Sequence, residues 1–281
     1  LGNSALAGVA LSGDLEERPI DQPVPALEQR AQVKRPLPTG NTIVDLLVPL
    51  AAGQREAVFG DRKTGKTSFL LSVARAHAAR DGIVVYALIG RPSSDIKRVY
   101  DLMQEDPKTQ SNIVIVASQA DDAPSLVTLT PFSAMTIAEY WRDTGRDVLL
   151  ILHDLSTHAK FHREVALVAG QFPGRESYPG DIFHEHARLL ERAGNFNIQN
   201  HGDVAITCLP VVETVEEDLA SYIVSNVISI TDGHLMFDRT YYSQGQRPAV
   251  KPSASVTRVG IKAQSSLVKQ FHRQLLAFLD T

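Results

Sequence analysis

The segment GDRKTGKT at residues 60–67 constrains the fold of this 281-residue chain more than any other part of its sequence. It matches the pattern G-x-x-x-x-G-K-[ST], with an apolar, strand-like run at 56–59 before it and a helix-forming run at 68–74 after it. A strand, turn and helix in this order point several backbone N–H groups at one spot, where the helix dipole favours an anion. We therefore expect a nucleotide site, with Lys66 along the β- and γ-phosphates and the Thr67 hydroxyl on Mg²⁺. A glycine turn without a ligand is the alternative.

Composition excludes several other classes of protein. The chain is 43% hydrophobic and 21% charged, and its formal net charge of −4 gives no reason to expect non-specific nucleic-acid binding. No stretch approaches the roughly 20 apolar residues of a membrane span. The single cysteine, Cys208, lies in an apolar run, cannot form an internal disulfide and fits a reducing cytoplasm. No signal peptide is visible, and because the sequence opens with Leu1 rather than Met, we expect an excised or fragmentary piece of a longer chain.

Strand and helix patterns alternate from about residue 43 to residue 264. Apolar runs typical of buried parallel strands lie at 56–59, 83–90, 113–117, 148–152, 204–209 and 227–230. Helical segments lie near 67–80, 93–105, 131–144, 157–169 and 181–193. This alternation predicts an α/β fold with a doubly wound, mostly parallel sheet and helices on both faces.

Three further patterns complete the predicted organisation. Residues 1–42 are rich in proline and are interpreted as a lead-in that wraps the domain. The Asp232-Gly233 pair between two short apolar runs predicts a hairpin, and hence one antiparallel pair after the main sheet. Residues 265–281 have an apolar helical face, which should dock on this domain or on one that is absent.

The apolar strand at 147–154 is the candidate for the strand that helps to hold Mg²⁺ beside the P-loop. P-loop proteins place an Asp at the end of such a strand, and this one ends in His153 and Asp154. Adjacent strand residues face opposite ways, so only one of the two faces the phosphates unless the strand bends. Asp154 is therefore one candidate magnesium ligand, and a core strand that simply ends in polar residues is the alternative.

Several motifs in a fixed order resemble the alpha subunit of the F-type ATP synthase. They are GQRE before GDRKTGKT, DLSTHA at 154–159, PGRESYPGDIF at 173–183, ARLLERA at 187–193, SYIVSNVISITDG at 221–233, QGQRPAV at 244–250 and SVTRVG at 255–260. The resemblance runs over nearly the whole chain and is to the family's nucleotide-binding domain, a RecA-like P-loop NTPase fold. It assigns 1–42 as the lead-in from a missing N-terminal barrel, 43–264 as the P-loop domain and 265–281 as the start of a C-terminal helical domain.

The resemblance implies a site that binds ATP or ADP with Mg²⁺ but does not turn the nucleotide over. In this family alpha and beta subunits alternate in a ring, and the catalytic sites belong mainly to beta. Magnesium would be held by Thr67 and, as one candidate, by Asp154. The expected nucleotide contacts are Gly60, Asp61, Arg62, Lys63, Thr64, Gly65, Lys66, Thr67, Ser68, Arg247 and Pro248.

Arg91 gives a physical reason for such inactivity. The catalytic subunit carries a glutamate just after the strand that follows the P-loop helix, and alpha carries glutamine; this chain has Arg91 at that position. A guanidinium cannot accept a proton at ordinary pH, so Arg91 cannot be the general base. It could bind a phosphate or an interface carboxylate, or be an exposed arginine without a function.

Arg258 in SVTRVG matches the family's arginine finger, which would act on the nucleotide of a neighbouring subunit. Ser255 in the same motif matches a position that the family uses to couple sites across that interface. A surface salt bridge is the alternative for Arg258.

The chain also departs from the family pattern. Lys63 replaces a usual glutamine, Val224 replaces a usual proline, and His153 stands where the family has the magnesium-binding Asp. Because an imidazole is a poor ligand for Mg²⁺, we expect weaker binding of Mg-nucleotide or binding of metal-free nucleotide. His158 and His162 are interpreted as solvent-facing rather than as a zinc pair, and the acidic run 213–218 as a solvated loop.

The expected function is therefore that of a non-catalytic alpha-type subunit in an enzyme that couples ATP synthesis to proton transport. Its partners would be beta-type catalytic subunits and a central stalk, at the cytoplasmic face of the inner membrane, with no nucleic acid and only indirect contact with the membrane. A self-sufficient hexameric motor of the secretion type needs an acidic base, which Arg91 disfavours. An RNA translocase is disfavoured by a pI of about 6.1. A divergent paralogue that binds nucleotide without ion coupling remains open, as does Na⁺ rather than H⁺ coupling.

Overall fold

Helices and strands alternate along residues 16–279, the part of the chain that the computed structural model describes. The strands are β1 (Pro36–Leu37), β2 (Leu50–Ala51), β3 (Glu56–Gly60), β4 (Ile83–Arg91), β5 (Ile113–Gln119), β6 (Val148–His153), β7 (Gly194–Ile198), β8 (Gly202–Glu213), β9 (Gly233–Phe237) and β10 (Val256–Thr257). The helices are α1 (Thr42–Leu47), α2 (Lys66–Ala78), α3 (Ser93–Gln104), α4 (Pro107–Gln110), α5 (Pro124–Asp143), α6 (Leu155–Val168), α7 (Ile182–Leu190), α8 (Tyr222–Ile230), α9 (Arg239–Ser243), α10 (Gly260–Ala263) and α11 (Ser266–Leu279).

One central sheet organises this part of the chain. Its strands run in the order β10-β9-β3-β8-β6-β4-β5, and β7 pairs with β8 beside this path. The six strands from β9 to β5 pair in parallel, whereas β10 and β7 join antiparallel to β9 and β8. The prediction of a mostly parallel sheet is therefore confirmed.

Both faces of the sheet are covered, as the apolar runs predicted. Along β4, Val85 and Ala87 pack into a buried cluster with α5, α6, α7 and α8, whereas Val84 and Tyr86 pack into a second cluster with α1, α2 and α3. Successive strand residues face opposite ways, so a strand with helices on both sides is apolar throughout. Cys208 lies wholly buried in the first cluster. None of the helices within residues 16–279 combines the length and apolar character needed to cross a membrane.

The strand predicted at 227–230 is wrong, because these residues form the last turns of α8. The buried positions of this helix are Ile223, Val224, Val227 and Ile230, a spacing that follows the helical repeat. A short run of β-branched residues cannot be distinguished from a buried helix by its pattern alone. Packing of α8 against α7 and the sheet decides in favour of the helix.

The hairpin predicted at Asp232-Gly233 is also wrong. These residues connect α8 to β9, and β9 pairs in parallel with β3 and antiparallel with the distant β10. The Asp232 carboxylate accepts hydrogen bonds from the backbone N of Arg55 at 2.9 Å and from its Nε at 3.1 Å. Asp232 therefore anchors the start of β9 to the start of β3, where a hairpin would have turned the chain back.

The two flanking segments lie against the same domain. In the described part of the lead-in, Ala31 N donates to Asn195 O at 2.8 Å, so the lead-in follows β7, a strand that the sequence did not predict. At the other end, α11 packs against α1, with His272 Nδ1 3.0 Å from Leu46 O. Residues 1–15 and 280–281 of the predicted flanking segments lie outside the described residues.

The solvent-facing interpretation of His158 is wrong, because a pair of histidines is buried between α5, α6 and α7. His158 Nε2 lies 3.2 Å from Thr128 O, and His158 Nδ1 lies 3.1 Å from His186 Nε2. Burial lowers the pKa of His158 to about 4 and that of His186 well below its ordinary value, so both are neutral near pH 7. His162 is partly exposed and lies 3.0 Å from Asp181 Oδ1.

This pair makes the stability of the fold sensitive to acid. In the unfolded chain a histidine takes up a proton below about pH 6.5, whereas buried His158 stays neutral until about pH 4, so stability falls as the pH drops through that window. We expect His158→Gln, whose amide can keep both hydrogen bonds, to remove about 1.4 kcal/mol per pH unit from this slope. Urea unfolding at pH 7, 6 and 5 measures how the free energy of unfolding depends on pH. The control is His184→Gln, which replaces an exposed histidine and should leave the slope unchanged. Equal slopes for wild type and His158→Gln would contradict the assignment.

Candidate nucleotide-binding site

The segment GDRKTGKT forms a tight loop between the carboxyl end of β3 and the first turn of α2. Gly60 has φ +148°, and a Cβ there would lie 2.7 Å from the Phe237 carbonyl oxygen. Gly65 has φ +91° and immediately precedes α2, so its left-handed conformation turns the chain into the helix. The two glycines therefore bring the backbone close to β9 and aim the helix N-terminus back over the end of β3.

Lys66 is folded inward across this loop. Its Nζ donates to Gly60 O at 2.6 Å and to Asp61 O at 2.7 Å, and the residue is only 6% exposed. Burial lowers the pKa of Lys66 to about 8, against the opposing effect of the nearby Glu213 and Asp154 carboxylates. An ammonium group held in this way is poorly solvated and would gain from an anionic ligand.

The rest of the loop is tied to the end of β8. Asp61 Oδ1 accepts from Thr214 Oγ1 at 2.6 Å and from Glu217 N at 3.1 Å. Thr64 is buried and donates its hydroxyl to Asp61 O at 2.8 Å. The remaining predicted contacts are more open to solvent: Arg62, Lys63 and Ser68 are exposed, and Thr67 is partly exposed in the first turn of α2.

The two residues at the end of β6 are both buried, and the peptide bond between them is cis. His153 Nδ1 lies 3.0 Å from the Tyr86 hydroxyl oxygen. Burial, together with the Arg91 and Lys66 cations, holds the pKa of His153 well below its ordinary value. Asp154 precedes α6 and caps it, with Oδ1 accepting from Thr157 N at 2.6 Å and Oδ2 paired with Arg91.

Arg91, at the end of β4, joins the acidic side chains of the site. Its guanidinium pairs with Asp154 and lies 3.8 Å from Glu213 Oε1. Glu213 Oε2 in turn accepts from Arg62 Nε at 2.9 Å. The interpretation of 213–218 as a solvated loop is therefore wrong for Glu213, whose side chain is 15% exposed. Its position at the carboxyl end of a parallel strand beside the P-loop was the signal that could have identified it.

The segment with Arg247 and Pro248 lies on the other side of the loop. The Arg247 guanidinium stacks on Tyr242, with Cζ 3.7 Å from the ring centroid, and Nη1 donates to Tyr242 O at 2.8 Å. The Tyr242 ring lies 3.2 Å from where a Gly65 Cβ would be. Tyr242 is thus a site residue that the sequence reasoning missed, and the aromatic pair just before QGQRPAV was the available signal.

Arg258 lies away from the loop, whereas Ser255 contacts the part of β9 that runs beside the end of β3. Thr257 pairs with Gly233 at the amino end of β9, and Arg258 N donates to Asp232 O at 3.2 Å. The P-loop begins beside Phe237 at the other end of β9, about 13 Å away at roughly 3.3 Å per residue. Arg258 is exposed, whereas Ser255 Oγ accepts from Met236 N at 2.9 Å and donates to Lys251 O at 2.8 Å.

The residues at the site fit an anion better than a magnesium ion. Magnesium prefers hard oxygen ligands in octahedral geometry, commonly one or two carboxylates besides phosphates and waters. Here the Thr67 hydroxyl remains available, but both Asp154 oxygens already have partners, and position 153 offers an imidazole. Within residues 16–279 there is no group of three or more His, Cys, Asp or Glu arranged to hold a metal ion.

Residues 40–257 match the family described as the ATP synthase alpha/beta family, nucleotide-binding domain.

Individual relatives are similar over most of this chain. ATP synthase subunit alpha 2 of Gluconobacter oxydans (strain 621H) is 45% identical over 251 residues, which cover 89% of this chain and 49% of that protein. Subunit alpha 2 of Burkholderia thailandensis is 44% identical, covering 92% and 46%, and subunit alpha of Mycoplasma genitalium is 41% identical, covering 92% and 50%. The chain thus spans about half the length of the curated relatives it matches.

The buried position of Lys66 leads to a direct test of the loop. A charge-assisted hydrogen bond contributes about 1.5–3 kcal/mol, so we expect Lys66→Met to weaken ATP binding by roughly tenfold to a hundredfold. Equilibrium dialysis with ATP measures this. Lys97→Met, which removes an exposed ammonium from α3, serves as the control and should bind as wild type does. Similar affinities for all three proteins would show that the loop does not bind phosphate.

Proposed function

This chain belongs to the ATP synthase alpha/beta family, and we propose that it acts as an alpha-type subunit that binds ATP or ADP without turning it over. The observation that carries the proposal is the position of Arg91, at the carboxyl end of β4 beside the P-loop and paired with Asp154. A catalytic site would need a group that activates water near this point. A guanidinium cannot supply it.

The other titratable groups at the site support the same conclusion. Asp154 and Glu213 are held in ion pairs with Arg91 and Arg62, so neither carboxylate is left unpaired beside the P-loop to activate a water molecule. His153 is buried against Tyr86, and its lowered pKa makes it a poor proton acceptor. Nucleotide held by the P-loop would therefore stay bound without hydrolysis. A self-sufficient motor would need the base that these residues do not offer.

Arg258 would act at the nucleotide site of a neighbouring subunit and not at the P-loop of its own chain. The separation along β9 is longer than an arginine side chain, so Arg258 cannot reach the P-loop of its own chain. Its exposure at the edge of the sheet suits an arginine finger that enters the site of a beta-type neighbour in a ring. Ser255, hydrogen-bonded to β9, would hold the segment that carries Arg258 in place.

The wider role follows from the relatives, which are named as ATP synthase alpha subunits. We propose that the chain works with beta-type subunits and a central stalk in an enzyme that couples ATP synthesis to proton transport. That enzyme would lie at the cytoplasmic face of the inner membrane, with this subunit peripheral. Coupling to Na⁺ in place of H⁺ would leave the P-loop and Arg258 roles unchanged.

The proposal predicts activity only in a mixed assembly. We expect no ATP hydrolysis by this chain alone and activity when it is co-expressed with a beta-type partner. Arg258→Ala should lower that activity by roughly 10³–10⁵-fold, because the transferring phosphoryl group would lose its neutralising cation. A phosphate-release assay on the purified assemblies measures the effect.

The matched control is Arg98→Ala, which removes an exposed arginine from α3 and should leave the activity unchanged. Hydrolysis by the isolated chain would contradict the non-catalytic role. If an intact assembly that carries Arg258→Ala kept full activity, Arg258 would not act on the nucleotide site of the neighbouring subunit.

A further inference from the structure

We propose that this site binds nucleoside diphosphate or triphosphate free of Mg²⁺, and that Arg91 supplies the positive charge that the metal would otherwise bring. The inference rests on the proposed binding of nucleotide by residues 60–68, and it concerns the chemical form in which that nucleotide is bound.

Both oxygens of the buried Asp154 side chain are already engaged by protein donors. Its side chain is fully buried, Oδ1 accepts from Thr157 N at 2.6 Å, and Oδ2 is paired with the Arg91 guanidinium. A metal ion at Asp154 would have to share these oxygens with the cap of α6 and with the Arg91 guanidinium, whose positive charge repels it. Asp154 is therefore a helix cap and a partner of arginine.

The neighbouring residue, His153, offers no substitute ligand for a magnesium ion. His153 is buried, and its Nδ1 already lies 3.0 Å from the Tyr86 hydroxyl oxygen. Imidazole nitrogen is in any case a poor ligand for Mg²⁺, which prefers hard oxygens. The other carboxylate beside the loop, Glu213, accepts from Arg62 Nε at 2.9 Å and lies 3.8 Å from Arg91. Besides the Thr67 hydroxyl, the site therefore offers only carboxylates that are already paired with arginines, whereas Mg²⁺ is usually bound by one or two carboxylates.

A second cation, the Arg91 guanidinium, lies near Lys66. Arg91 is close enough to Lys66 for the two charges to interact, and it is held between Asp154 and Glu213. A guanidinium has five N–H donors in a planar fork that matches phosphate oxygens. The Arg91 Nε is shielded from solvent and has no acceptor within the described residues, so its hydrogen-bonding capacity is not exhausted.

These three features act in the same direction. Metal-free ATP carries more negative charge than its magnesium complex, so it gains more from Lys66 and Arg91 together. The magnesium complex would bring a further cation towards Arg91, where Asp154 and Glu213 are already paired with arginines. Magnesium should therefore weaken binding, because it removes the favoured form of the nucleotide from solution.

Equilibrium dialysis of the full chain with ATP, once in excess EDTA and once in excess MgCl₂, tests this directly. We expect the affinity in EDTA to be at least tenfold higher than in MgCl₂. A smaller difference, or tighter binding in MgCl₂, would overturn the inference. Because this comparison uses the unaltered chain, it does not depend on how any variant folds.

Variants then identify the residue responsible. Arg91→Gln should lose at least tenfold in affinity for ATP in EDTA, whereas Arg98→Gln, which removes an exposed arginine from α3, should not. Arg91→Lys, which keeps the charge but loses the fork, should lie between them. Thermal unfolding should show that the variants are folded, and an Arg91→Gln chain that is folded and binds as wild type does would contradict the role of Arg91.

A gain of metal dependence gives the converse test. Arg91→Gln with His153→Asp releases Asp154 and adds a second carboxylate, so ATP should bind at least tenfold more tightly in MgCl₂ than in EDTA. A double variant that still prefers EDTA would contradict the argument. If the unaltered chain bound ATP neither in EDTA nor in MgCl₂, nucleotide binding itself would be refuted. If it bound ATP only in MgCl₂, this inference alone would be refuted.

Discussion

The shared direction of the central strands is the constraint on which the rest of the structure depends. Because β3, β4, β6 and β8 are parallel, their carboxyl ends meet at one edge of the sheet. Gly60, Arg91, Asp154 and Glu213 come from segments far apart in sequence, and this edge brings them together. The helices on both faces bury the strands and so fix that edge in place.

Two cations and two carboxylates that neutralise one another determine the electrostatics of the site. Lys66 and Arg91 lie near Asp154 and Glu213, in a region where burial outweighs the nearby carboxylates and lowers the pKa of Lys66 to about 8. Buried charges of this kind are tolerated only when they are paired. Here both carboxylates are paired with arginines, and the same ion pairs hold Arg91 beside the P-loop.

Most of the central fold was predictable from local patterns, and the errors have identifiable causes. Long, wholly apolar runs such as β4 and the P-loop signature were recognised correctly. The run 227–230 was assigned to a strand because its β-branched residues fit both structures, and contact with α7 and the sheet selects the helix. His158 was assigned to the surface because its partners, Thr128 and His186, lie on other helices that its own sequence context does not reveal.

The sequence by itself determined the chemistry of the P-loop and the absence of a proton acceptor at Arg91, because both depend on residue type within a short segment. Tertiary structure decided which side chains meet. It paired Asp154 with Arg91, brought Glu213 and Tyr242 to the P-loop, and placed Arg258 at the opposite end of β9. These contacts join residues tens to nearly two hundred positions apart, and they depend on strand order, which no local pattern encodes.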